Sequence, residues 1–177
     1  IDGHSQVSTL PSIYFGEFFD PATWEKITLG GWHDMPDRFI AMYPVFFDAT
    51  ESKPLLTSGN KLIYNIGQKE GMTHVGFGRD EALTLDKALF RSELLRLMTH
   101  YNQLDAMAFF QLIHIAYEKV LVNADDKRLI FYHIHSPADC TKLNFAGSAP
   151  TASWLMMVRE PIQCCESWSR DFLENHD

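Results

Sequence analysis

Apolar and polar positions divide the chain into a short opening strand, a helical middle and an end in which strands and helices alternate. Gln6 to Leu10 reads as a short strand closed by Pro11, and the aromatic stretch Ile13 to Phe19 as core. Pro21 suits a first helical position with Asp20 as its cap. That helix is expected to run to Leu29, where Gly30-Gly31 stops it. Pro36 to Phe47 reads as a second helix capped by Asp34, and Ser52 to Gly78 as short helix, loop and one short strand. Leu85 to Tyr101 places Leu85, Leu89, Leu94 and Leu95 near helical spacing. Leu104 to Val122 is apolar on most faces, with Gln111, His114 and Glu118 as a thin polar stripe, so it reads as a central buried helix. Asn123 to Asp126 reads as a turn, Leu129 to His133 as a strand and Ala138 to Phe145 as a helix. The continuous apolar run Trp154 to Val158 reads as a central strand covered on both faces, and Pro161 opens a last helix reaching the end. The alternation predicts an α/β fold with a small parallel sheet.

Composition supports one packed domain over residues 1–177: 46% of the residues are hydrophobic, 13% aromatic and 21% charged. The net charge of −8 argues against nucleic acid as a partner. No stretch approaches the ~20 apolar residues of a membrane span, and Ile1-Asp2-Gly3-His4 is not a secretory leader. Three cysteines, Cys140, Cys164 and Cys165, make no disulfide framework, and no glycosylation sequon occurs. A reducing, cytoplasmic setting is the expectation.

The richest chemistry lies between Trp154 and Phe172. An apolar strand ending at Val158 delivers Arg159 to its lip, and Pro161 starts a helix at once. Ligands of open α/β sheets bind at the carboxyl ends of strands, and a helix N-terminus there favours an anion. Arg159 adds a planar fork matched to phosphate, and Ser167 stands six residues past Pro161. The bland reading is a salt-bridged Arg159 and a solvated Ser167.

Arg159-x-Pro161 with Ser167 after an apolar strand resembles the 3′-phosphate-binding motif of sulfotransferases that use 3′-phosphoadenosine 5′-phosphosulfate (PAPS). Ile1 to Pro11, with Asp2-Gly3-His4 and Ser5 where the family usually has Pro, is similar to the segment after that family's phosphosulfate loop. Tyr132 to Pro137 resembles the strand-to-loop step that precedes the Arg-x-Pro motif, whereas Asp20 to Thr84 matches nothing in the family.

The resemblance implies a partial P-loop nucleotide-hydrolase-like domain and a sulfotransferase moving a sulfuryl group from PAPS to a hydroxyl or amine of a small molecule, sugar or protein. Arg159 and Ser167 would hold the cofactor's 3′-phosphate. The base would be His133 or His135, on one face of their strand, or Glu17. The family's Gly-rich phosphosulfate loop has no counterpart: Gly76-Phe77-Gly78-Arg79 lacks the Lys or Ser/Thr that engages phosphate. A piece truncated at both ends, inactive alone, is therefore the expectation, and its uncovered sheet edge predicts a homodimer or swapped oligomer.

Three other readings stand beside it. One is a non-catalytic helical interaction or scaffold protein without a nucleotide site, and another is a small-molecule kinase. In the third, His133 and His135 bind a metal with His74, His114 or Cys140, but no spacing signature supports it, so no metal is assigned.

Overall fold

The computed structural model describes residues 4–10, 18–51, 72–122, 126–134, 141–156 and 160–175. Two three-residue strands, β1 (Val7–Thr9) and β2 (Leu129–Phe131), pair in parallel with Val7 opposite Leu129 and Thr9 opposite Phe131. They are the whole sheet among the described residues. A parallel pair needs a crossover, and here a helical body fills it.

The body begins with α1 (Pro21–Thr28) and α2 (Met35–Met42). Pro21 starts α1 as expected, but the Asp20 carboxylate caps nothing; it accepts from Asn144 Nδ2 at 2.9 Å. After α1 the chain reverses through Gly30 and Gly31, at φ +88° and +114°, a region costly for residues with a Cβ. Arg38 of α2 secures this end by donating from Nε to the Ile27 carbonyl at 2.6 Å and from its guanidinium to the Gly31 carbonyl.

The predicted second helix extends to Phe47, but α2 ends at Met42. Pro44 lacks an N–H and pushes Tyr43 out of the helical region, to φ −124° and ψ 54°. One turn of 3₁₀ helix, Pro44–Phe46, carries the chain on.

The strongest helices are α3 (Lys87–Met98) and α4 (Ala106–Val120), packed on each other. Each has an aspartate at its N-cap: Asp86 accepts from the Leu89 amide at 2.9 Å, and Asp105 from the Ala108 amide at 2.7 Å. The buried ridge of α3 is Phe90, Leu94 and Met98, at strict four-residue spacing. Leu89, expected on that face, is half exposed, because Phe90 takes the inward position against Phe39 and Phe47, at ring separations of 5.9 and 4.9 Å.

Helix α4 is central, as its composition predicts, but its polar stripe is not the expected one. Gln111 is exposed and Glu118 half buried, while His114 is 2% exposed. The solvated seam runs through Gln111 and Ile115, and His114 sits on its flank, under β1. The core is aromatic: Phe18, Phe39, Phe46, Phe47, Phe90, Phe109, Phe110 and Tyr117 are all buried. The Tyr117 hydroxyl donates to the Phe46 carbonyl at 2.6 Å, satisfying both groups in the interior.

Helices α5 (Thr141–Ser148) and α6 (Pro161–Asn175) complete the chain. The central strand expected over Trp154 to Val158 is absent at 154–156: these residues pair with no strand and are 55%, 77% and 82% exposed. An apolar run becomes a central strand only where neighbours on both sides take its N–H and C=O groups. Among the described residues the ring contact of Trp154 is to Phe145, edge-on at 5.7 Å. Met157 and Val158 lie outside the described residues. Among the described residues the fold is therefore helix-rich α/β with one small parallel sheet. No described helix is long and apolar enough to cross a membrane.

Candidate functional site

Parallel pairing brings the carboxyl ends of β1 and β2 to one edge of the sheet, so Leu10 and Tyr132-His133 leave their strands side by side. Tyr132 turns inward and packs among Phe145, Phe110 and Phe19, at 4.9, 5.3 and 5.8 Å between ring centroids. His133, the next residue, is exposed, as alternation along an extended chain requires. His135 and Glu17, the other two candidate bases, lie outside the described residues.

Of the two expected phosphate ligands, Arg159 lies outside the described residues. Ser167 is exposed on α6, roughly 9 Å along the axis from Pro161. The mouth of this helix carries an anion of its own. The Glu160 carboxylate accepts from the Gln163 amide at 3.0 Å, while its carbonyl accepts the first helical bond from Cys164 at 3.1 Å. Pro161 has no N–H to offer, so Gln163 is spent on the cap and Pro161 contributes nothing to an incoming phosphate. Any phosphate grip must then rest more on side chains than on first-turn amides.

Spacing along the last helix puts Ile162, Cys165, Trp168 and Phe172 on one side, as if to pack it on the sheet, but Ile162 and Cys165 are both exposed. The apolar stripe alone could not supply a sheet surface to cover it, and the described sheet ends at β2. The side chains of Trp168 and Phe172 lie outside the described set.

One pairing has no signature in the sequence. Ser8 Oγ of β1 and His114 Nδ1 of α4 stand 2.8 Å apart, both residues 2% exposed, across 106 positions of chain. Burial lowers the His114 pKa to about 3, so the ring is neutral at physiological pH. A serine beside a histidine is the geometry of an activated nucleophile. Here the hydroxyl is closed off from any substrate and the imidazole is a very weak base. The pair therefore joins sheet to helix, with Phe110 edge-on to the imidazole at 4.7 Å.

The same burial removes His114 from the metal reading, since it faces Ser8 in the interior while His133 lies at the surface. His74 bonds its neighbour Thr73 Oγ1 at 3.1 Å, and Cys140 lies outside the described residues. Among the described residues no three His, Cys, Asp or Glu side chains cluster as a metal site. Gly76 to Arg79 is a tight reversal, with Gly76 at φ +80° and Val75 paired to Glu81 in both directions, at 2.9 and 3.3 Å. That is hairpin geometry. No family model, curated protein or solved structure matches the chain.

Proposed function

We propose that the chain is part of a PAPS-dependent sulfotransferase of P-loop type, in which the edge beyond β1 and β2 is the ligand edge. The observation that carries this reading is the parallel register of Val7 opposite Leu129. It joins the two strands whose flanking sequences resemble that family. It also sets the loops after both strands, His133 included, at the sheet edge where open α/β folds bind ligands. Arg159 and Ser167 fit a phosphate by chemistry, a guanidinium fork and an exposed hydroxyl.

In the reaction, an acceptor hydroxyl or amine forms a bond to sulfur as the bond from sulfur to the 5′-phosphate oxygen breaks. The acceptor's proton passes to a base, and His133 is the described candidate; His135 and Glu17 are the others. The acceptor is a small molecule, a sugar or a protein group.

The test is thermal unfolding of the native gene product with and without 3′-phosphoadenosine 5′-phosphate. At saturating ligand the wild type rises on the order of 5 °C, and Arg159→Ala and Ser167→Ala lose most of the rise. Equal shifts in wild type and Arg159→Ala, or no shift in either, overturn the reading. A second reading, a non-catalytic interaction protein, draws on the exposed run 154–156 and expects no shift at all.

A further inference from the structure

Helix α6 presents an apolar stripe that nothing described covers. Ile162, Cys165, Ser169 and Leu173 line one open face, with Ile162 and Leu173 67% and 63% exposed. Glu166 and Arg170 stand together along a single margin of that face, at four-residue spacing. Among the described residues neither makes a salt bridge. A margin carrying one acid followed by one base is complementary to itself only when reversed.

We infer that α6 is a self-association surface on which the same helix of a second copy docks antiparallel, its apolar stripe against stripe and each Glu166 against the partner's Arg170. In an antiparallel helix pair each margin meets the same margin of the other helix, so acid meets base twice about the two-fold axis. The apolar pattern gives the same register. Setting Ile162 opposite the partner's Leu173 puts the two-fold between residues 167 and 168. Glu166 then faces the partner's position 169, one residue, about 1.5 Å of rise, from the partner's Arg170. Ser167 lies about 140° round the helix from Ile162, off the stripe, so docking leaves the hydroxyl of the proposed phosphate site free. The inference does not rest on the sulfotransferase reading, because it uses neither Arg159 nor Ser167.

The test is analytical ultracentrifugation of the full chain over a concentration series, with far-UV circular dichroism to confirm helix content. Wild type forms a reversible dimer that weakens with added salt. Glu166→Arg, which sets like charges together twice, weakens it about tenfold. Adding Arg170→Glu restores the opposite-charge pairs and returns the affinity to within about threefold of wild type. Ile162→Asp abolishes the dimer with helix content unchanged. A wild-type chain that stays monomeric at every concentration overturns the inference and gives this face to another occupant. A dimer indifferent to Glu166→Arg, or one that the double reversal fails to restore, overturns it as well.

Discussion

His114 shows how one residue's meaning is set by its surroundings. In sequence it belongs with Gln111 and Glu118, spaced like the polar edge of an amphipathic helix. In the structure it is enclosed, bonded to Ser8 and held neutral. The folded-state pKa, about 3, lies below the ordinary value of 6.5. Below pH 6.5 the unfolded chain takes up a proton that the folded chain refuses. The stability this residue carries is therefore complete above pH 6.5 and is lost progressively as pH falls towards 3, at about 1.4 kcal/mol per unit. Urea titrations at pH 7 and pH 5 should differ by about 2 kcal/mol from this residue alone. In His114→Leu that part of the difference disappears, whatever the substitution costs at neutral pH. An unchanged pH dependence in the variant would mean that the imidazole is accessible in the folded state.

The elements follow their local signals where those signals are short-range. Asp86 and Asp105 stand before their helices and cap them with side-chain bonds to the third amide onward. Asp20 holds the same position before α1, yet its carboxylate goes to Asn144. The helices should therefore respond differently to the same substitution. Asp105→Ala is expected to cost about 1 kcal/mol in chemical denaturation by freeing the Ala108 amide. Asp20→Ala loses a contact to α5 and no cap. Its cost should appear as earlier hydrogen exchange around 141–148, with little change in the amides of α1. Pro44 ends α2 for a reason written in the sequence, and Phe90 displaces Leu89 from the inner face for a reason that is not: an aromatic ridge on the neighbouring elements receives the larger ring.

At the scale of the molecule, stability is concentrated in the aromatic body between the strands. Phe39 is fully buried and meets Phe18, Phe46, Phe47, Phe90 and Phe109. Phe39→Ala is expected to cost about 3–5 kcal/mol, the range for removing a ring from a packed core. Leu155→Asp is expected to change stability by under about 0.5 kcal/mol, because the side chain is 77% exposed. Paired denaturation curves check both, and a loss of several kcal/mol in Leu155→Asp would restore the buried strand that its composition suggests. By itself the sequence determined where the helices lie, the Pro21 start and Gly30-Gly31 stop of α1, the apolar character of α4 and the parallel relation of its first and later strands, because each depends on neighbours a few residues away or on an alternating strand–helix order; the caps it marked, Asp20 and Asp34, make no capping bond, whereas Asp86 and Asp105 do. Arg159 stands two positions before Pro161 in the chain, and Ser167 lies within α6. Tertiary structure decided the rest. It paired Ser8 with His114 across 106 positions and left 154–156 in solvent. Burial is a property of what packs alongside a segment, and an apolar run carries no record of whether a neighbour arrives to cover it.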